Sequence, residues 1–200
     1  MDLMTMRNTV RRDLHDEDAE NFRWTNDEID RHIAHAVKDY SYASPIEQCA
    51  VLPTTAGSRE IDISSLSERV DIEAVEYPIG NFPPSYQRFS LWDNKLTISG
   101  NRIPEGSDIK IFYGKLHTLS ALISTIPVIH EDTIVLRACG YAAVELAIQT
   151  INRVNTGGMG TTSELESWGN QKLTEFRAAL KRIDKKNRVR VKALYTSVEE

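Results

Sequence analysis

From His130 to Val154 the chain reads HEDTIVLRACGYAAVELAIQTINRV. At about 100° per residue, Leu136, Cys139, Ala143, Val144, Leu146, Ala147, Ile148, Ile151 and Val154 fall on one broad arc. Glu131, Arg137, Glu145, Gln149 and Asn152 fall on a narrow polar stripe. An apolar arc that wide predicts a central helix covered by more than one neighbour. Ala138, Gly140, Ala142 and Ala143 would let other backbones come close. Arg137 and Glu145 interrupt the run before the ~20 residues a bilayer span needs, so no membrane segment is expected.

Upstream, Leu3, Met6, Val10 and Leu14 recur at helical spacing and predict a short amphipathic helix over Asp2 to Leu14, with Arg7, Arg11 and Arg12 facing away. Thr25 with Glu28 makes a capping box and Trp24 with Ile29 a hydrophobic staple, so a second helix begins there. It runs through Ile33, Ala36, Val37 and Tyr40 and stops near Ser44, because Pro45 disfavours the helical conformation in the residue before it. From about Gln48 the period changes to alternation. EIDIS (60–64), RVDIEAVEY (69–77), YQRFSLW (86–92), KLTIS (95–99) and DIKIFY (108–113) read as strands of a small antiparallel sheet system. Asp93-Asn94 stands where a two-residue hairpin turn belongs, and Pro78, Pro83 and Pro84 mark an exposed loop.

Leu116 to Pro127 returns the chain to helix. After the break at TGGMGTTS, Ser163 and Glu166 make a second capping box, opening a helix that turns Leu165, Trp168, Leu173, Phe176, Ala179, Leu180 and Ile183 inward. The last segment, RVRVKALYT, alternates again and reads as an extended arm or an edge strand that needs another edge to add to. The layout predicts an α+β protein. Residues 1–46 and 118–186 would close into a helical bundle, 47–117 would form an inserted antiparallel β domain, and 187–200 an extended C-terminal arm.

Two hundred residues, 40% of them hydrophobic, suffice for one sizeable core or two small ones. The N-terminus lacks the basic start and apolar block of a signal peptide, and Cys49 and Cys139 are spaced for neither a metal knuckle nor a disulfide framework, so a reducing cytoplasmic setting is expected. The net charge of −5 is uneven: between Gln171 and Lys192 nine basic and two acidic residues give a local +7, leaving −12 elsewhere. Such asymmetry often marks a segment that seeks an acidic partner, either nucleic acid or an acidic protein surface, and is equally common in a solvated helix end.

Chemistry-bearing residues are sparse. His32 and His35 have the spacing of a metal pair on one helix, near Glu28, Asp30 and Asp39, but lack the internal Glu of HExxH and any further Cys or His nearby. Two surface or interface histidines are the favoured reading. Gly157-Gly158-Met159-Gly160 lacks the Lys-Ser/Thr of a phosphate loop and follows a helix, so it is a connector. Without a nucleophile elbow no triad can be drawn. No catalytic residue, metal or cofactor is assigned, and no enzyme is expected. The basic end, Arg188, Val189, Arg190, Val191, Lys192, Leu194 and Tyr195, is the candidate binding segment, while Trp24, Thr25, Glu28, Ile29, Ser163, Glu166, Trp168 and Phe176 are assigned to caps and core. Its cations also suit a nucleic-acid-binding accessory protein, the alternative reading, although stacking on single strands wants more interleaved aromatics than the one it offers, Tyr195.

Several stretches together resemble head-to-tail connector (adaptor, head completion or gatekeeper-type) proteins of tailed bacteriophages. They are Arg23-Trp24-Thr25 with Glu28-Ile29, Asp39-Tyr40 and Pro45, Pro83-Pro84-Ser85-Tyr86 leading into FSLWDNKLTI, Tyr113-Gly114-Lys115-Leu116-His117, and Leu173 with Glu175-Phe176-Arg177. The resemblance implies a structural virion protein, made in the host cytoplasm and placed at the neck. It would form a homo-oligomeric ring, a dodecamer, under the portal protein, meet tail or neck proteins, and pass double-stranded DNA through its channel. Its C-terminal arm, here Asn187 to Tyr195, would dock on the portal.

Overall fold

A computed structural model describes residues 1–100, 103–150 and 162–195, with side chains to residue 184. The break at TGGMGTTS falls mostly outside the described residues, as does the end of the spine at Ile151 to Val154. The described elements make an α+β protein of four helices and two three-stranded antiparallel sheets. They divide into two units, a helical one from residues 1–44 and 117–185 and a β unit whose strands all lie in 45–116.

In the helical unit, capping residues set where the helices begin. Asp2 accepts the Thr5 N–H at 2.7 Å and opens α1, Leu3–Asp13. Thr25 accepts the Glu28 N–H at 3.2 Å while Glu28 accepts the Thr25 N–H at 2.7 Å, and this reciprocal pair opens α2, Asn26–Ala43. α3, Glu131–Thr150, follows a single 3-10 turn at Val128–His130. Met6, Val10, Trp24, Ile29, Ile33, Tyr40, Ile134, Ala138, Cys139 and Ala142 form one core, each large member stabilising the fold by roughly 1.5–3 kcal/mol. The Trp24 indole N–H donates to the Ala142 carbonyl at 3.2 Å, so the staple residue also ties α2 to α3.

α4, Thr162–Tyr195, lies on α3 through a glycine crossing. A Cβ built on Gly169 would stand 2.9 Å from the Gly140 carbonyl oxygen, and one on Gly140 would stand 2.9 Å from Leu173. Because α4 already includes Thr162, Ser163 sits inside its first turn and not ahead of it. Trp168 is half-buried against the core and Phe176 is buried. The segment expected to be an extended arm continues α4 to Tyr195. Its alternation spans only the five residues Arg188 to Lys192, whereas nothing from Lys181 to Tyr195 breaks a helix and most of those residues favour one. The side chains of Arg188, Val189, Arg190, Val191, Lys192, Leu194 and Tyr195 lie outside the described residues.

Three charged positions expected to face away are buried. Arg11 is 5% exposed, its guanidinium bonded to Asp16 Oδ2 (2.5 Å), the Trp24 carbonyl (3.0 Å) and Asn26 Oδ1 (2.9 Å), with the Phe22 ring 3.5 Å from it. Arg137 pairs with Asp39 at 2.5 Å, and Glu131 takes the Met1 amino group. A hydropathy arc assigns charge to solvent, but α3 is covered on its polar stripe too, and a buried charge then requires a partner. Conversely Ile148, placed on the apolar arc, is exposed.

In the β unit, one sheet has the order β1-β6-β3, with β1 Ile46–Leu52, β3 Arg69–Glu76 and β6 Ile109–Lys115. The other has the order β2-β5-β4, with β2 Glu60–Asp62, β4 Phe89–Trp92 and β5 Lys95–Ile98. Asp93 and Asn94 make the β4–β5 turn, Asp93 at φ 52°. Ile61, Ile63, Ile72, Val75, Leu96, Ile98, Ile109 and Ile111 share one core. β1 was not among the expected strands, because IEQCAVL alternates weakly and its outer face is not polar.

Candidate interaction surface

Between the β unit and α3 the chain passes through residues 117–130, HTLSALISTIPVIH, all within the helical unit and irregular up to the 3-10 turn at Val128–His130. Its backbone is fixed by hydrogen bonds. The His117 N–H donates to Ser41 Oγ (2.9 Å), Thr118 N–H to Thr125 Oγ1 (2.8 Å), and Thr125 N–H to the Thr118 carbonyl (3.0 Å). At the tip Ser120 N–H donates to the Ile123 carbonyl (2.8 Å), Ile123 N–H to Ser120 Oγ (3.0 Å), and Leu3 N–H of α1 to the Ser120 carbonyl (3.1 Å). Ile126 is buried in the core and Leu119 packs against it.

On that fixed loop the remaining aliphatics point outward. Leu122 is 91% exposed, Ile123 60%, Val128 78% and Ile129 83%. Single exposed apolar residues are ordinary, but four within eight residues of a pinned segment mark a surface prepared for a protein contact. Little entropy is left to lose on docking when the backbone is already held. Hydrophobic periodicity missed the loop because it has none. The available signal was the pair of aliphatic clusters, Leu122-Ile123 and Val128-Ile129, in a stretch too polar and Pro-interrupted to be a helix. The β unit carries its own exposed apolar residues, chiefly Phe82 in the Pro-rich loop and Trp92 at the β4–β5 turn.

Two histidines and a tyrosine fasten the loop. His117 Nε2 lies 2.9 Å from the Ser44 carbonyl and Nδ1 2.9 Å from the Thr125 carbonyl and 3.1 Å from Thr125 Oγ1, while the Tyr40 hydroxyl and His130 Nδ1 share a hydrogen bond at 2.5 Å. Burial holds His117 below the ordinary imidazole range, against the upward pull of the Ser44 and Thr125 carbonyls, and burial raises Tyr40.

The second polar cluster lies along the α2–α3 seam. Arg31 grips both Glu145 oxygens (2.7 and 2.6 Å), His32 stacks on Tyr141 at 6.4 Å, and Arg137 covers the other part of that ring at 4.2 Å while pairing with Asp39. Glu145 Oε2 is 2.9 Å from His32 Nε2 and acts on it mainly through charge. Burial lowers His32 more than Glu145 raises it. His32 is buried and His35 exposed, so the pair does not converge on one site. Among the described residues no group of three or more His, Cys, Asp or Glu could hold a metal, and no helix is long and apolar enough to cross a membrane.

The lowered His117 and His32 give a pH dependence. Both rings are neutral in the folded protein, so the unfolded chain takes up protons first as pH falls below about 6.5. Their contribution to stability is complete above that value and is lost as pH falls through their lowered folded values. The melting temperature is expected to be lower at pH 5 than at pH 7.5, and His117→Gln to shrink that difference. An unchanged difference in the variant would remove His117 from the account.

No protein-family model and no curated protein matches the chain. Among solved structures it is similar to a chain of the neck of a native GTA particle computed with C12 symmetry, with 16% identity over 83% of this chain and 89% of the other, at a TM-score of 0.27. A likeness at that level carries no argument about this chain.

Proposed function

We propose that this chain is a structural subunit of the neck of a tailed-phage particle. Copies close into a ring, a dodecamer, between portal and tail, and extend the channel through which double-stranded DNA passes. The observation that carries the reading is the pinned loop with Leu122, Ile123, Val128 and Ile129 outside, a preformed apolar contact on the helical unit. The residues that resemble the connector family agree with it: Trp24, Thr25, Glu28 and Ile29 build the start and seating of α2 from which that loop is hung through Ser41 and Ser44. A closed ring needs two unlike faces that meet heterologously. In this proposal the loop supplies one face toward the next copy, and the basic end of α4, Arg188 to Tyr195, engages the portal.

The two roles separate by mutation. Leu122→Asp with Ile129→Asp changes only exposed side chains, so folding stability stays within about 0.5 kcal/mol. Binding to purified portal rings then loses its cooperativity and stops short of full occupancy. Reversing Arg188, Arg190 and Lys192 to Glu abolishes binding altogether. Unchanged cooperative binding by the loop variant would defeat the loop assignment. If the basic end instead shifts the mobility of DNA at low salt, with affinity falling steeply as salt rises, the nucleic-acid reading takes its place.

A further inference from the structure

His117 fastens the loop to the C-terminal end of α2, and both of its ring nitrogens face carbonyl oxygens. Nε2 lies 2.9 Å from that of Ser44 and Nδ1 2.9 Å from that of Thr125. A carbonyl only accepts, and a neutral imidazole has one N–H and one bare nitrogen, so the bare nitrogen needs a donor from elsewhere. At Nδ1 the Thr125 hydroxyl, 3.1 Å away, is such a donor, and among the described residues Nε2 has none. The hydrogen of the neutral ring therefore belongs on Nε2, donating to Ser44, while Thr125 turns its hydroxyl hydrogen to Nδ1.

The same hydroxyl closes the loop on itself. It accepts the Thr118 N–H at 2.8 Å and lies 3.2 Å from the Thr118 carbonyl, which takes the Thr125 N–H at 3.0 Å. Leu119 pairs with Ser124, so 118–125 is a small hairpin with Leu122 and Ile123 at its tip. A second proton on His117 would turn the hydroxyl hydrogen away from Nδ1 and set a cation in a half-buried place. The titratable groups facing it are Tyr40 of α2, 5.0 Å away between ring centroids, and His130 of the 3-10 turn, whose own charge would repel it. Among the described residues no carboxylate is bonded to His117. The new Nδ1–H could donate to the Thr125 carbonyl, but burial outweighs what the two carbonyls offer the charged ring.

We propose that His117 is a proton-operated clasp: the neutral Nε2–H ring holds the hairpin 118–125 to the end of α2, and uptake of a second proton releases it. The aliphatic surface at Leu122 and Ile123 is then preformed only while the ring is neutral. In the released loop the imidazole meets water and takes the proton at its ordinary value of about 6.5, whereas the closed loop takes it only at lower pH. Between the two, each pH unit of acidification favours the open loop by up to about tenfold. The inference concerns regulation of the surface on which the neck reading rests, but the opening is a property of the free chain.

The test uses the full chain and nuclear magnetic resonance. At pH 7.5 the imidazole nitrogen shifts of His117 are expected to report the Nε2–H tautomer. Hydrogen exchange at the Thr118, Ser120 and Thr125 amides, corrected for the intrinsic pH dependence of exchange, is expected to lose protection by up to about tenfold per pH unit below about 6.5. In His117→Gln the side-chain amide can still donate to the Ser44 carbonyl but does not titrate, so protection of the three amides should stay level over the same range. A neutral ring carrying its hydrogen on Nδ1, protection in the parent protein that does not change from pH 7.5 to 5, or the same loss in the variant would each overturn the proposal. No portal is present, so failure here removes the clasp and leaves the neck role to its own test.

Discussion

Asp16→Ala is expected to destabilise the protein by about 3–5 kcal/mol, because it strands the Arg11 guanidinium inside the helical unit. Asp16 is 3% exposed and Arg11 5%. Both carboxylate oxygens are used, Oδ2 by Arg11 at 2.5 Å and Oδ1 by the Arg23 N–H at 2.7 Å. The pair thus fixes the path of the chain from the end of α1 to the cap of α2, since Arg11 also holds the Trp24 carbonyl and Asn26. Removing the anion leaves a buried cation with two neutral acceptors. Removing both charges at once, with Arg11→Met and Asp16→Leu, avoids that penalty and should recover most of the loss. Urea unfolding followed by circular dichroism separates the two cases. Equal losses in the single and double variants would mean that the pair's hydrogen bonds to the 22–26 backbone, and not its charge balance, set the stability.

The second large effect is expected at the α3–α4 crossing. Glycine inside a helix costs about 1 kcal/mol against alanine, so Gly169→Ala would stabilise a freely exposed helix. Here the added Cβ meets the Gly140 carbonyl oxygen at 2.9 Å, Val144 Cγ2 at 2.9 Å and Ala143 Cβ at 3.1 Å. A backbone oxygen cannot rotate away. The two helices must separate, uncovering Leu173 and Phe176, and Gly169→Val should cost about 3 kcal/mol, the upper end for overpacking. A Cβ on Gly140 would likewise meet a backbone oxygen, that of Gly169 at 3.0 Å, besides Leu173 at 2.9 Å, so Gly140→Ala should also destabilise. Thermal melting of the two alanine variants measures both losses, and a stabilised Gly169→Ala would contradict the close crossing.

Those two sites differ in how far the sequence disclosed them. Gly140, with Ala138, Ala142 and Ala143, was legible as a place of close approach, because small residues at helical spacing have few other structural uses. The Thr25–Glu28 box and the Asp93-Asn94 turn were legible for the same reason: each is a local rule whose partners lie within four residues. Arg11 was not legible, since its partners Asp16, Trp24 and Asn26 are supplied by a loop that folds back over α1. β1 escaped notice because an edge strand with a half-open core side does not alternate cleanly. The end of α4 is helical against expectation because five alternating residues, Arg188 to Lys192, carry less weight than the helical preference of the whole stretch from Lys181 to Tyr195. The candidate surface itself was the least visible part, as exposed aliphatics on a non-periodic loop look in sequence like any short apolar run.

The proposed role rests on copies meeting one another through the pinned loop once they are seated on a portal. Electron micrographs of purified portal rings mixed with the full-length chain test it most directly. The account predicts a closed extra ring of density beneath each portal with the parent protein, and partial or scattered density with the Leu122→Asp, Ile129→Asp variant. Bare portals with the parent protein, or complete rings formed equally well by the variant, would contradict it.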